Sequence, residues 1–560
     1  MGDNMKKIIK ICIFLLTFVF LVACSYSGGT TTTKITLDTP KLTIEDGKIV
    51  WEKIENATYY EIYLNGKKEK DTQKQIFDMF YLEDGTYVIK VRACSNDSNY
   101  VKSQFTTITY TKTTINNDEE DENINDENKT GDGIYSVFMI NDTHGAYADN
   151  GYDPGFEKLS SLINDLEKEN GDIIKIANGD LFQGSYVSNV LYGKPIFEAM
   201  NYLEFDAFVL GNHDFDWGLD KVYAYYDGDI SNGEANYPVL GANIYDKTTN
   251  KRVEWIDPYT IVEVDGDKVG IIGIIGYDLE SSILAENVAE YEFVYPLELI
   301  KSYAKELREK DCDSVIVSVH DFDSDLNSEI ANLTGEFRID GIFCGHTHQK
   351  KDNYLTRTDG VEIPVVQNYD KNGCAVNVVF DINEQTYNTS FYYPRDYLPN
   401  SEVLELIENY QDYIDKGNEV IGYTNYKLSK SDLGKNAVDA MQEEFNVDIA
   451  IINTGGIRET LSAGNITISN VFDVFPFNNK IILTELKGSA VKSLYQRNGS
   501  YLYFNSSFNI NNIDISKTYK IAVIDYVFTG VYYSEFKNVK YTDTEVLLRD
   551  VFIGYIEENY

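Results

Sequence analysis

Six short apolar runs between residues 134 and 395 limit most strongly what this chain can fold into. They are Ile134–Ile140, Ile173–Ala177, Ala207–Leu210, Val269–Ile275, Ser314–Val319 and Gly341–Cys344, each of strand length and mostly rich in β-branched residues. Between the first two, Phe156, Leu159, Ile163 and Leu166 recur at helical spacing, and Gly171 is placed to stop that helix. Strand and helix signals that alternate in this way point to α/β layers.

The chain has only five histidines, and each lies just past one of these runs. Three stand with metal-binding residue types: Asn141-Asp142-Thr143-His144-Gly145, Gly211-Asn212-His213-Asp214 and Gly345-His346-Thr347-His348. His320 precedes Asp321, and the Ile173–Ala177 run ends in Asn178-Gly179-Asp180. Loops at the carboxyl ends of strands in an open α/β sheet converge on one crevice. Asp, His and Asn gathered there make a mixed oxygen and nitrogen site, better suited to zinc, manganese or iron than to copper. Any one of these motifs alone is an ordinary capped turn; the full set is not.

Taken in order, Asp-x-His, Gly-Asp, Gly-Asn-His-Asp, a lone His and Gly-His-Thr-His resemble the calcineurin-type metallophosphoesterases. The longer forms Asn-Asp-Thr-His-Gly and Gly-Asn-His-Asp-Phe-Asp are similar to the 5′-nucleotidase family within them. The resemblance covers residues 134–560. It implies a four-layer α/β/β/α metallophosphoesterase domain over 134–395, a connecting helix over 396–420 and a C-terminal α/β substrate-binding domain over 421–560. It also implies two divalent cations, zinc or manganese. Asp142, His144, Asp180 and His348 would hold one, and Asp180, Asn212, His320 and His346 the other, with Asp180 bridging. Some relatives have Gln where this chain has His348. His213, oriented by Asp216, would sit beside the transferring phosphoryl group, and Asn212 would also reach the substrate.

Asn453-Thr454-Gly455-Gly456-Ile457-Arg458 and Phe475-Pro476-Phe477-Asn478 resemble the family's substrate motifs. By that resemblance Asn453 and Arg458 bind substrate, while Phe477 and Tyr526 stack on the base. Two departures stand out. Lysines (Lys427, Lys430) occur where the family usually has an arginine, and Tyr532 occurs where it has a ribose-binding Asp. The activity implied is metal-dependent hydrolysis of nucleotide phosphomonoesters by a hydroxide shared between the cations. A 2′,3′-cyclic nucleotide phosphodiesterase or a nucleotide-sugar hydrolase would use the same site. An inert surface adhesin is the reading of another class, and the intact ligand set argues against it.

The rest of the chain bears on location. Lys6, Lys7 and Lys10 precede an apolar run, Ile11 to Val22, and a small-residue ending, the pattern of an export signal over residues 1–24. Leu21-Val22-Ala23-Cys24 resembles the bacterial lipobox, which implies lipidation of Cys24 and a place on the outer face of the cell membrane. Residues 34–112 carry short β-branched and aromatic runs separated by turns, an all-β sandwich similar to fibronectin type III modules. Residues 113–133 are Asn, Asp, Glu, Lys, Thr and Gly for the most part, an acidic disordered linker. A net charge of −41 repels polynucleotides, so the expected partners are a small nucleotide and, through the lipid, a membrane. Cys94, Cys312, Cys344 and Cys374 have no paired spacing, and no disulfide framework is expected.

Overall fold

The computed structural model describes residues 34–45, 48–64, 67–78, 85–97, 99–112, 131–229 and 231–560. Cys24, the export signal and most of the acidic linker lie outside the described residues. The described residues form two compact units, one before the acidic segment and one after it.

In the first unit, Lys67–Thr72, Tyr59–Leu64, Gly85–Cys94 and Thr106–Lys112 make an antiparallel sheet in that order. Thr43–Glu45, Lys48–Val50 and Ile76–Asp78 make a smaller one. Ile49, Trp51, Tyr60, Ile62, Phe77, Ile89 and Val91 share one core. The Lys67–Thr72 strand has no apolar alternation, and its charged residues cover an edge of the sheet.

The second unit contains two six-stranded sheets. The first runs Val239–Leu240, Ala207–Val209, Ile174–Asn178, Ile134–Ile140, Ala375–Asp381 and Thr386–Tyr392, with the first four parallel. The second runs Tyr259–Val264, Asp267–Ile275, Ser314–His320, Gly341–Cys344, Glu362–Gln367 and Lys351–Thr356, with the middle four parallel.

The strand period of two decides the layering. In the first sheet, Phe138 and Ile140 pack with Phe156, Leu159 and Leu162 of a covering helix. Their neighbours Val137 and Met139 pack instead with Ile271, Ile316 and Phe343 of the second sheet. On the far side, Ile272, Ile274, Val315 and Val317 meet Ile300, Leu307, Leu326 and Ile330 from two further helices. The order is α/β/β/α, with both sheets buried on both faces, which is why their strands read as nearly continuous apolar runs.

The covering helix spans Phe156–Asn170 and ends at Gly171, whose φ of 77° is open to glycine at little cost. Residues 401–417 form two helices, Ser401–Glu408 and Gln411–Gly417; Tyr410 between them is buried, its hydroxyl donating to Glu198 at 2.6 Å.

The C-terminal sheet runs Leu502–Phe504, Ile449–Asn453, Thr518–Ile524, Lys480–Lys487 and Tyr541–Leu547. Helices Lys430–Phe445 and Leu548–Asn559 pack on it through Leu433, Val438, Met441, Phe552 and Ile556. The four described cysteines are free and buried. No described helix is long and apolar enough to cross a membrane.

Candidate active site

The loops that leave the parallel strands are forced into uncommon backbone. Asp142, His144, Asp180, His346 and His348 all have φ between 47° and 73°, the left-handed region. Each costs a non-glycine residue about 1–3 kcal/mol and persists only where its surroundings hold it. Here two loops fasten each other: the N–H groups of Asp142, His144 and Gly145 donate to the carbonyls of Gly179, Asp180 and Leu181 at 2.9, 3.0 and 2.8 Å. Close approach also demands glycine at two points. A Cβ on Gly179 would lie 2.1 Å from His320 Nδ1, and one on Gly211 would lie 2.3 Å from Asp180 Oδ1.

Five of these side chains and His320 form two groups. Asp142, His144 and His348 bring ligand atoms within 4.8 Å of one another, and so do Asp180, His320 and His346. The groups adjoin, since Asp142 Oδ1 lies 3.4 Å from His348 Nε2 and 3.9 Å from His320 Nε2. His144 Nε2 and His348 Nε2 face each other at 3.1 Å. The opposite ring nitrogens are taken: His144 Nδ1 by Gln183 O at 3.1 Å, His320 Nδ1 by Asn178 O at 2.8 Å, and His348 Nδ1 by Asp370 at 3.3 Å. Fixing one nitrogen in this way aims the other as a metal ligand.

The fit to cations rests on atoms left without partners. Asp142 Oδ1, Asp180 Oδ2, both Asn212 side-chain atoms, His320 Nε2 and His346 Nδ1 are buried and make no hydrogen bond. His320 Nε2 comes within 3.1 Å of Asp180 Oδ2, but without hydrogen-bond geometry. A buried polar atom left unpaired costs about 1–3 kcal/mol. Several converging on one place are accounted for by divalent cations, and the set of carboxylate, imidazole and amide suits zinc or manganese.

Charge follows the same logic. Burial lowers the His346 imidazole to about 4, helped by His320, so its lone pair is free. Burial also opposes charge on His320, but Asp180 and Asp142 outweigh it and raise that group to about 10. A proton and a cation therefore compete for His320 Nε2. Asp180 is buried, yet His320, His213 and His144 together hold it well below the usual carboxylate range. It feels histidines of both groups.

His213 stands apart from both groups. Its Nδ1 lies 2.8 Å from Asp216 Oδ2, and its backbone N–H donates to Asp180 Oδ1 at 2.7 Å. Burial works against its charge, while Asp216 and Asp180 raise its pKa on balance. Asp180, Asn212, His213, Asp216, His346 and His348 line a cavity of about 410 Å³ together with Asn453, Arg458, Phe477 and Tyr526. Asn453, Arg458, Phe477 and Tyr526 thus reach the same space as Asn212 and the histidine loops, although they lie more than 100 residues beyond His348. Arg458 is the only lysine or arginine lining the cavity and forms no ion pair among the described residues. The Phe477 ring stacks 5.4 Å from that of His213. Lys430 does not line this cavity; it lines an adjoining one of about 950 Å³ that shares His348 and Arg458. Tyr532 lines neither and is exposed.

Sequence reasoning missed two supporting carboxylates. Asp214 accepts from the N–H groups of Asp180, Gly211 and Leu181 at 3.0, 2.9 and 3.2 Å, tying two of the loops together. Its place in Gly-Asn-His-Asp was the available signal. Asp370, which meets His348, carries no such mark.

Residues 135–350 match the calcineurin-like phosphoesterase family model, and residues 417–510 match that of the 5′-nucleotidase C-terminal domain. The chain carries a calcineurin-like phosphoesterase domain followed by a 5′-nucleotidase C-terminal domain. It is 26% identical over 421 residues to a 5′-nucleotidase of Vibrio cholerae, covering 64% of this chain and 74% of that one. It is 24% identical over 513 residues to Protein UshA of Yersinia enterocolitica, covering 76% and 92%. The crystal structure of a 5′-nucleotidase precursor from Thermus thermophilus shares the fold, with a TM-score of 0.65 and 21% identity over 76% of this chain and 96% of that one. With the phosphoesterase domain matched and these relatives alongside, the chain is a metal-dependent phosphoester hydrolase.

Proposed function

We propose that this hydrolase releases phosphate from nucleoside monophosphates on the outer face of the cell, held to the membrane by lipid on Cys24. The observation that carries the nucleotide reading is the cavity that Asp180 and His346 of one ligand group and His348 of the other line together with His213, Arg458, Phe477 and Tyr526. Asp142, His144, Asp180 and His348 would hold one cation, and Asp180, Asn212, His320 and His346 the other. When bound, the pair supplies Lewis-acid chemistry, making water nucleophilic near neutrality and offsetting phosphoryl charge.

The chain's own residues do the rest. Arg458, with no carboxylate partner, offers its planar fork to a phosphoryl group or another anionic part of the substrate. Asp216 holds His213 by Nδ1, leaving Nε2 to give a proton to the departing alkoxide. Phe477 and Tyr526 present aromatic faces to the base. With Tyr532 in place of an acidic residue, ribose and deoxyribose are distinguished weakly. The outward location rests on the export signal and the Leu-Val-Ala-Cys ending.

Two outcomes follow here. Base stacking is worth about 1–3 kcal/mol per base, or roughly tenfold to a hundredfold. Phe477→Ala is therefore expected to raise KM for AMP and deoxy-AMP by about that factor. Glycerol phosphate, which has no base, should change far less; equal losses on all three substrates would make Phe477 a packing residue and remove the main support for a nucleotide.

The second outcome concerns Asp370, which faces His348 Nδ1 at 3.3 Å. A carboxylate behind a ligating histidine contributes about tenfold to a hundredfold in metal affinity. Asp370→Asn should weaken retention of one cation by that order while the other stays. Elemental analysis across a chelator titration would show this, and an unchanged curve would deny Asp370 the role.

A further inference from the structure

The segment Phe475-Pro476-Phe477-Asn478 lies between the Ile468–Val474 helix and the Lys480–Lys487 strand, so its backbone belongs to no ladder. Its carbonyls are collected by one side chain from the last helix. Arg549 Nη1 donates to Phe475 O at 3.0 Å, to Pro476 O at 3.2 Å and to Phe477 O at 3.5 Å, and Nη2 donates to Asn478 Oδ1 at 2.7 Å. Its guanidinium lies 3.7 Å over the ring of Phe472.

Arg549 is only 4% exposed, forms no ion pair among the described residues, and leaves its Nε without a partner. A buried cation without a carboxylate is costly, and carbonyls and an aromatic face are weaker compensation than an anion. Filling that space with an apolar side chain would avoid the cost but would release the segment. Burial pulls the guanidinium down to about 10, so it stays charged at neutral pH.

The same segment is gripped from the other domain. Asn189 Nδ2 donates to Pro476 O at 3.0 Å and to Gly184 O at 3.1 Å. Gly184 in turn packs against the His144 backbone, where a Cβ would stand 1.9 Å from the carbonyl oxygen. The Pro476 carbonyl thus accepts from both sides, and the aromatic that follows it is set over His213.

We propose that Arg549 is a positioning residue for base recognition: without touching the cavity, it fixes the backbone that aims Phe477 into it. This rests on the reading of Phe477 as the stacking face. Lysine at 549 keeps the charge but not the fork of donors that spans the segment.

The test is steady-state kinetics of the full chain, loaded with zinc or manganese, on AMP and on glycerol phosphate. The variants are Arg549→Lys, Phe477→Ala and the double variant, each checked by thermal melting. Arg549→Lys is expected to raise KM for AMP about tenfold, the scale of a lost charge-assisted hydrogen bond, with kcat within about twofold. KM for glycerol phosphate should move by less than about twofold. In the Phe477→Ala background, Arg549→Lys should add nothing to KM for AMP, because its effect runs through that ring.

Equal losses on both substrates, or a full additional loss in the double variant, overturn the proposal. If Phe477→Ala has no base-dependent effect while Arg549→Lys keeps one, the stacking reading fails and Arg549 acts by another route, which also overturns it. Should Arg549→Lys fold poorly, Asn478→Ala removes the Nη2 acceptor and spares the buried carbonyls. It is expected to raise KM for AMP about threefold, and no change would count against the clamp. Because Asn478 also lines the cavity, its effect must vanish in the Phe477→Ala background, and a persisting loss overturns the proposal.

Discussion

Replacing Asp180 by alanine is expected to strip bound metal and lower turnover on AMP by about a thousandfold or more. The carboxylate is fully buried, and its Oδ2 makes no hydrogen bond. It faces His320 at 3.1 Å, and its charge is felt by His144 of the other group. Losing it removes the proposed shared ligand and leaves imidazoles with nothing to offset a cation. Metal-assisted stabilisation of the transition state is worth several kcal/mol, and about 4 kcal/mol corresponds to that thousandfold. Elemental analysis and phosphate release read the two effects separately. If the variant retains two metals per chain, Asp180 does not bridge.

His213→Asn should behave in the opposite way with respect to metal. His213 belongs to neither ligand group, and its Nδ1 is committed to Asp216 at 2.8 Å. Both cations should stay while turnover on AMP falls by about a hundredfold to ten-thousandfold, the usual reach of general acid catalysis. The loss should shrink for nitrophenyl phosphate, whose leaving group needs no proton. Equal losses on nitrophenyl and alkyl phosphates would remove the acid role and leave His213 as an electrostatic contact.

The parts legible in the sequence are those whose signal is local. Ile134–Ile140 and Gly341–Cys344 are strands at the residues their apolar runs marked, because both faces are buried and only Ser136 interrupts the apolar pattern. The Phe156–Asn170 helix follows from spacing and ends at the glycine that permits it. The loop motifs were visible because Gly145 and Gly179 take left-handed backbone there, while aspartate, asparagine and histidine beside them offer ligand atoms. In the Ser314 and Ile174 strands the ladder runs one residue further than expected, taking in His320 and Asn178. There the polar side chain is itself buried and partnered, which periodicity does not register.

What stayed hidden depends on chain segments meeting from far apart. His144 and His348 face each other across 204 residues, and only the pairing of the sheets sets their distance. Asp370 reads as one more surface aspartate in a chain with a net charge of −41 until it is seen behind His348. Arg549 reads as a helix-start arginine, although its partners lie more than 70 residues upstream. The Lys67–Thr72 strand has no apolar period because it lies at a sheet edge.

The most direct test of the account is phosphate release by metal-stripped chain titrated with zinc or manganese. AMP, 2′,3′-cyclic AMP, a nucleotide sugar and glycerol phosphate would be compared at each step. The account predicts that activity on AMP rises to a plateau at two cations per chain, one for each ligand group, and exceeds that on the other substrates. A plateau at one cation, or no phosphate from AMP with two cations bound, would contradict it.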